Sequence, residues 1–281
     1  MARSSYYRTE RRFLLSLETF MILLSIIFFI PIYYLVVTTF KTPEQALLYP
    51  LGLPWDATLD NYARAFRSMN YINVLKNNVL ITGISVVGIV LLSAMAGYAI
   101  SRRASRLNRG VFAVFLIGMM VPYQIALLPL YKLVRTLHLM DTFAAVILLE
   151  ICYNLPLGIF MFRNFISSIP LELEEASKID GCGVFGTFFR ITLPLLKPVV
   201  ATVAIIAGLN TWNDFLTPLL FLHKREHGVL LLEVFRNIGE FSTDWTTFFP
   251  MMFLAILPLL LFFLFMQKYM IAGITSGAIK G

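Results

Sequence analysis

The sequence predicts an all-α integral membrane protein with six transmembrane helices. Of its 281 residues, 58% are hydrophobic and only 14% are charged, and the mean hydropathy is +0.78. Soluble domains carry about 25% charged residues. The apolar residues also gather in runs close to the roughly 20 residues needed to cross a hydrocarbon core about 30 Å thick. These observations exclude a water-soluble domain.

The apolar runs are residues 13–37, 77–100, 110–131, 143–162, 199–221 and 248–269. Every backbone N–H and C=O group in hydrocarbon needs an internal partner, which only a helix or a closed barrel provides. Barrel strands would alternate polar and apolar residues over about ten positions. The runs do not alternate, so each is predicted as a helix. Kinks are expected within these helices at the prolines at positions 31, 122, 129, 156 and 258.

The first run is predicted to remain in the protein as a transmembrane helix. It extends from Phe13 to Val37. A secretory signal has an apolar region of about 7 to 15 residues that ends at small residues, and neither feature is present. Residues 1–12 are then a cytosolic tail and residues 38–74 an extracytoplasmic loop.

The orientation follows from the distribution of lysine and arginine in the loops, because short cytoplasmic loops are enriched in these residues. The loop 101–109 contains no acidic residue and several arginines, namely Arg102, Arg103, Arg106 and Arg109. Placing this loop in the cytosol puts both termini there, including a carboxy-terminal tail at 271–281. The net charge of +7 therefore reflects topology, and no nucleic-acid partner is predicted.

Groups for catalysis or for binding a cofactor are not found in the sequence. A Gly-x-x-x-x-Gly-Lys-Ser/Thr phosphate loop is absent, so ATP binding by this chain is not predicted. His223 and His227 are four residues apart but lack the HExxH pattern, so no metal site is predicted. Cys152 and Cys182 are expected to be unpaired. A membrane-embedded enzyme is the distant alternative.

The long polar loop 163–198 is predicted to form a cytosolic helix-turn-helix. Ser168 and Pro170 indicate a helix start, followed by acidic residues that the helix dipole favours. This helix should end at Asp180 and Gly181, where glycine can adopt a left-handed conformation. A second short helix is expected over 184–191, exposing the aromatic face formed by Phe185, Phe188 and Phe189. Such a face needs a covering partner, and a position on lipid headgroups is the alternative.

The run EEASKIDGCGVFGTFFRITLP within this loop resembles the EAA loop of ABC importer permeases. The matching positions are Glu175, Ala176, Asp180, Gly181, Ile191, Leu193 and Pro194. Ser177 stands where the family usually has a second alanine, a small-for-small change. The segments NTWNDFL at 210–216 and GITSGAIKG at the carboxy terminus look like the carbohydrate-importer branch, similar to the smaller maltose permease subunit.

This resemblance implies a transmembrane type-1 fold over residues 75–270, with 163–198 as the loop that couples to ATPases. The implied partners are a second, different permease subunit, two ATPase subunits that hold ATP and magnesium, and an extracytoplasmic solute-binding protein. The implied location is the cytoplasmic membrane of a bacterium or archaeon. The family's corresponding outer loop reaches the binding protein, so residues 222–247 are the candidate docking loop. A solvated connector is the alternative there.

Polar residues inside the predicted spans indicate a solute pathway or contacts between helices. A sugar needs amide and carboxylate partners for its hydroxyl groups and an aromatic face for its ring. The candidate pathway residues that offer these groups are Glu150, Tyr153, Asn154, Trp212, Asn213 and Asp214. Glu150 and Asp214 are expected to face one cavity. A solute such as glycerol phosphate is the alternative, although it would favour basic residues, and the spans offer acids and amides.

Overall fold

The computed structural model of the chain describes residues 2–103, 105–238 and 244–278, with side chains from residue 13 to residue 265. Helices and their connections account for the described part, and no strand occurs in it. Parts of three predicted segments lie outside the described residues. They are position 104 of the arginine-rich loop, positions 239–243 of the candidate docking loop and positions 279–281 of the carboxy-terminal tail.

The α-helices are, in chain order, α1 (Ala2–Thr38), α2 (Pro43–Leu48), α3 (Asp60–Ser68), α4 (Tyr71–Arg102), α5 (Arg106–Met120), α6 (Tyr123–Thr136), α7 (Phe143–Ile166), α8 (Glu172–Ile179), α9 (Val184–Thr187), α10 (Leu193–Leu195), α11 (Lys197–Trp212), α12 (Leu216–Phe221), α13 (Leu230–Arg236) and α14 (Trp245–Ala278). A π-helical turn at Phe188–Thr192 joins α9 to α10, and a 3-10 turn at Arg225–His227 precedes α13.

Four described helices are long and apolar enough to cross a membrane. They contain the segments Phe13–Thr38, Tyr71–Arg102, Phe143–Ile166 and Trp245–Phe265. Two bent pairs of helices, α5 with α6 and Val184–Leu195 with α11, raise the number to six if each pair is one span. Both α1 and α14 also continue through residues that the sequence analysis assigned to terminal tails.

The predicted span 110–131 is broken in the middle, which corrects the expectation of a kinked helix. α5 and α6 meet at an angle of 103° around Val121 and Pro122. Val121 is extended, with φ −82° and ψ 118°. The proline ring disfavours the helical conformation of the residue before it, so the chain leaves the helix at this point. Pro129 and Pro156, in contrast, lie within helices as predicted.

The predicted span 199–221 is also interrupted. α11 ends at Trp212, and α12 begins only at Leu216. The Asp214 carboxylate accepts hydrogen bonds from the backbone amides of Leu216 at 3.1 Å and Thr217 at 3.2 Å. A short acidic side chain that binds nearby amides competes with the helical hydrogen bonds, which explains the interruption.

The described structure falls into two compact units. One consists of Met1–Met69 with Asn237–Ala255, and the other of Asn70–Arg236 with Ile256–Gly281. In the first unit, the Tyr34 ring packs edge-on against Phe249 with centroids 5.4 Å apart. The Asn61 amide in α3 donates to the carbonyls of Thr39 and Lys41 at 2.9 and 2.7 Å. The ring contact joins α1 to α14, and the Asn61 bonds fix α3 against the residues that follow α1.

The core of the second unit is built around α4, α7 and α11. One apolar cluster includes Ile89, Phe162, Ile166, Leu196 and Val203. Small residues bring α4 and α7 close together, because a Cβ atom on Gly97 would lie 2.9 Å from Phe162 Cβ, and one on Gly158 would lie 2.6 Å from Ser93 Oγ. Close approach through small residues is the usual way in which membrane helices associate.

Candidate functional site

The segment from Ile169 to Leu196, here named the coupling segment, forms the first candidate site. α8 begins at Glu172 with acidic residues in its first turn and ends at Ile179, with Asp180 as its C-cap residue. Gly181 follows with φ +83°, the left-handed conformation that the sequence suggests. The predicted second helix at 184–191 is instead one α-helical turn followed by the π-helical turn at Phe188–Thr192.

One face of the coupling segment is open. The side chains of Glu175, Ala176 and Asp180 are exposed, as is Gly181. Apolar side chains share this exposure, with Ile179 at 87% and Phe185 at 68%. This exposed set combines two carboxylates with an apolar surface, a combination suited to a protein partner.

The opposite face of α8 is held by a buried carboxylate that the sequence analysis did not single out as a site residue. Glu174 is buried and accepts hydrogen bonds from Arg102 Nε and from the Tyr98 hydroxyl, both at 2.8 Å. Arg102 Nη2 also lies 2.8 Å from the carboxylate and donates to the carbonyl of Ile169 at 3.1 Å. We name Tyr98, Arg102 and Glu174 the clamp, because they join α8 to the last turn of α4.

A second polar contact joins the two arms of the coupling segment. The hydroxyl groups of Ser177 and Thr187 are 2.8 Å apart, and both side chains are buried. The hydroxyl group that distinguishes Ser177 from the alanine usual at this position is therefore used in packing. It also donates to the Glu174 carbonyl at 2.8 Å.

The aromatic face predicted for this segment needs one correction. Phe185 and Phe189 are exposed, but Phe188 is buried in the core cluster. Its ring packs against Tyr98 with centroids 5.2 Å apart. The π-helical turn explains the difference, since it changes the angular spacing of side chains from that of a regular α-helix.

The carboxy-terminal residues of the coupling segment lead into the core of the second unit. Ile191 is half-buried and Pro194 is exposed. Leu193 is partly buried against the core cluster. These three residues therefore connect the exposed face with the packed α11.

The second candidate site is a polar cavity of about 340 Å³ between α6, α7, α11 and α12. Its volume lies in the range of small-molecule sites, about 300 to 1,000 Å³. The lining residues are Tyr123, Gln124, Leu149, Glu150, Tyr153, Leu209, Asn210, Asn213, Asp214, Leu216 and Thr217. Glu150 and Asp214 thus face one cavity, as expected from the sequence.

Glu150 is buried and hydrogen-bonded. Its carboxylate accepts from the Thr211 hydroxyl at 2.9 Å, and the Asn154 amide donates to its backbone carbonyl at 2.9 Å. Asn210 in turn donates to Asn154 Oδ1 at 3.0 Å. Asn154 therefore lies behind the cavity wall and bridges α7 and α11, the contact between helices that was the alternative for this residue. Trp212 does not line the cavity either.

Tyr123 and Thr217 complete the cavity and were missed in the sequence. Their hydroxyl groups are 3.0 Å apart, and the Tyr123 ring packs on Tyr153 with centroids 5.1 Å apart. Tyr123 follows Pro122 at the break between α5 and α6. The signal available in the sequence was this proline in the middle of an apolar run.

The described part of the candidate docking loop is tied to the start of α7. Asp141 accepts hydrogen bonds from the amides of His223 and Lys224 at 3.1 and 3.0 Å, and its carboxylate lies 3.3 Å from His227 Nδ1. Burial alone would raise the pKa of Asp141, but the bonds from Lys224, His227 and His223 outweigh it and lower the pKa below its ordinary value of 3.8. The His227 ring therefore contacts Asp141, whereas His223 is bound through its backbone.

Known proteins of one class match both the sequence and the fold. The chain is 34% identical over 254 residues to the melibiose/raffinose/stachyose import permease protein MelC of Bacillus subtilis (strain 168), covering 90% of this chain and 92% of that protein. It is 33% identical over 271 residues to the arabinooligosaccharides transport system permease protein AraQ of the same organism, covering 95% and 96%.

A solved structure shares the fold. It is described as a bacterial ABC transporter involved in the import of the acidic polysaccharide alginate, and the match has a TM-score of 0.85 over 93% of this chain and 98% of that chain, at 20% identity. The family model for the inner membrane component of binding-protein-dependent transport systems matches residues 89–276. The chain therefore belongs to this family of ABC importer permease subunits, which are not enzymes.

Proposed function

We propose that this chain is the permease subunit of an importer that moves a sugar or oligosaccharide by alternating access, driven by two partner ATPases. The observation that carries the proposal is the architecture of the coupling segment. One face presents Glu175, Ala176, Asp180 and Gly181 to the outside, while Glu174 fastens the other face to α4. A rigid element with one free face can transmit motion from a partner to a span.

In this proposal the ATPases dock on the exposed face of the coupling segment, which lies in the cytosol. ATP and magnesium bind to those subunits, and this chain binds no cofactor. Motion of α8 passes through the clamp to α4, because a buried ion pair at 2.8 Å leaves little freedom between the two helices. The two arms move together because Ser177 and Thr187 are bonded.

The solute is proposed to pass the polar cavity. Its amides, hydroxyl groups and carboxylates can pair with sugar hydroxyls, and Tyr153 offers a ring face. A phosphate-bearing solute would need lysine or arginine, and neither is among the residues that line this cavity. The cavity therefore favours a neutral sugar over glycerol phosphate. The names of the related importer permeases, which refer to neutral oligosaccharides, support the same class.

The proposed membrane topology has six spans and places both termini in the cytosol. A second, different permease subunit completes the pathway, and a solute-binding protein delivers the sugar on the opposite side. Residues 222–247 are the proposed docking loop for that protein. Asp141 anchors the first part of this loop, residues 223–227, which suits a docking surface because little ordering of these residues is needed on binding.

The test is ATP hydrolysis by the tagged chain, purified in lipid with its co-purifying subunits, across a panel of binding proteins and sugars. We expect stimulation by one pair of binding protein and neutral sugar. Purification of the chain without any ATPase, or stimulation only by a phosphorylated solute, would contradict the proposal. A catalytically inactive variant of the ATPase is the control for contaminating hydrolysis.

A further inference from the structure

An exposed apolar segment follows the first span. We name residues 42–59 the post-span segment; all of it belongs to the first compact unit. Its large side chains point outward, with Leu47 at 81%, Leu53 at 71% and Trp55 at 66% exposure. The other exposed members are Leu48, Tyr49, Leu51 and Leu59. Such a patch indicates a surface that meets something other than water.

Hydrogen bonds fasten this segment to Phe40 and Lys41, although its large apolar side chains are exposed. Lys41 is fully buried, and its ammonium group donates to the carbonyls of Tyr49 and Pro50, both at 2.8 Å. The Thr58 amide donates to the carbonyl of Phe40 at 3.0 Å. The segment is therefore held in a defined conformation that leaves its leucines exposed.

The segment also folds back along the span. The Tyr33 hydroxyl donates to the carbonyl of Leu51 at 3.0 Å, and Tyr33 precedes the end of α1 at Thr38 by about 7.5 Å at the usual rise per residue. The span Phe13–Thr38 has 26 residues, which gives about 39 Å against a hydrocarbon core of about 30 Å. A level about 7.5 Å inside the helix end is therefore close to the boundary between hydrocarbon and headgroups.

We propose that the post-span segment lies in the bilayer interface and inserts its leucines and Trp55 among the lipids. Three observations select lipid as the occupant. The patch is continuous with the apolar, exposed surface of the first span. Its level coincides with the interface. Its aromatic pair, Tyr49 and Trp55 with ring centroids 5.1 Å apart, belongs to the residue types enriched there.

The test uses spin labels in the assembled transporter in lipid vesicles. Cys152 and Cys182 are replaced by serine, and one new cysteine is introduced as Leu53→Cys or, in a second variant, Trp55→Cys. The accessibility of the label to oxygen, which partitions into lipid, is compared with that to a water-soluble nickel complex. The control label is Arg67→Cys, at an exposed position on α3 of the same unit. A sample without the new cysteine corrects for labels on partner subunits.

We expect oxygen to relax the labels at 53 and 55 more strongly than the nickel complex does, and the reverse at 67. Nickel accessibility at 53 and 55 equal to that at 67 would mean that the segment is in water and would overturn the proposal. Low accessibility to both reagents would mean that another subunit covers the patch, which would overturn it as well. Neither result depends on transport, so this test is separate from that of the proposed function.

Discussion

The exposed face of the coupling segment ends at Gly181, whose backbone is left-handed. Gly181 has φ +83°, and a Cβ atom placed there would meet nothing within 4 Å. Any effect of a larger residue would therefore come from backbone strain and from contact with a partner. For residues other than glycine the left-handed conformation costs about 1 to 2 kcal/mol, and β-branched residues tolerate it poorly.

We expect Gly181→Val to lower sugar uptake strongly while the protein still inserts into the membrane. The changed turn would alter the exposed face, and with it ATPase docking or the coupling of hydrolysis to uptake. Gly183→Val is the matched control, because Gly183 is also in open space but has an ordinary φ of −72°. Uptake and the amount of co-purified ATPase are measured; full coupled uptake by Gly181→Val would count against the proposed role.

The carboxylate of Asp141 predicts a pH dependence of stability. Its pKa in the folded protein is below the ordinary value of 3.8. The carboxylate therefore stabilises the fold at all pH values above about 4, and this contribution is lost as the pH falls through the lowered folded pKa. Thermal unfolding of the wild type and of Asp141→Asn in detergent should differ by a constant amount between pH 7 and pH 5. The difference should shrink below pH 4; a difference that already shrinks between pH 7 and pH 5 would contradict this account.

Sequence reasoning at the residue scale succeeded where the cause was local. The left-handed Gly181 and the exposure of Glu175 follow from the ending of one helix. Glu174 and Phe188 are different, because their burial depends on Tyr98, which lies 76 residues before Glu174 and 90 residues before Phe188. A run of three acidic residues in the first turn of a helix does not indicate which of them turns inward.

At the scale of elements, the clamp determines how α8 is attached to α4. Arg102 lies in the last turn of α4, where a cation is favoured by the helix dipole. Removing one partner of a buried ion pair leaves the other charge uncompensated and costs about 3 to 5 kcal/mol. Replacing both partners by apolar groups of similar size costs much less.

We therefore expect Glu174→Leu and Arg102→Met each to destabilise the protein and to reduce uptake per ATP hydrolysed. The double variant Arg102→Met/Glu174→Leu should regain stability while uptake stays uncoupled, because a flexible apolar contact no longer fixes the angle of α8. Glu175→Gln is the matched control for stability, since that residue is exposed. Unfolding midpoints, hydrolysis and uptake are measured on the same preparations. Additive losses of stability, or normal coupling in the double variant, would contradict this account.

Helix positions were predicted well from composition, but helix breaks were not. Four predicted runs correspond to single long helices, since lipid requires a continuous run of apolar residues. The breaks at Val121 and at Asn213–Phe215 lie inside equally apolar runs. They are stabilised by Pro122 and by the hydrogen bonds of Asp214, and hydropathy does not register either of these local effects.

At the scale of the whole molecule, the cavity is the proposed site of solute recognition. Asn213 is exposed in its wall. We expect Asn213→Ala to raise the sugar concentration for half-maximal uptake about two- to tenfold, the usual range for one lost hydrogen bond. Assembly with the ATPases should be unchanged. Thr136→Ala is the control, because Thr136 is exposed at the far end of α6 and lies outside the cavity.

An unchanged half-maximal concentration for Asn213→Ala, measured in vesicles with saturating ATP, would mean that the cavity is not on the solute path. The wall could be only partly foreseen from the sequence. Glu150, Tyr153, Asn213 and Asp214 are polar or aromatic residues in apolar runs and were predicted. Tyr123 and Thr217 reach the cavity only because two runs break, so their positions required the three-dimensional structure.

The close approach of α4 and α7 has a consequence for how the protein can change shape. Gly97 and Gly158 let backbone and side chains interlock so tightly that sliding one helix past the other would drive Ser93 and Phe162 into their neighbours. The two helices, α4 and α7, should therefore move as one rigid body. Distances measured between labels on their outer surfaces would then remain constant through a transport cycle. The pair can therefore serve as a fixed reference for measuring the motion of the other helices.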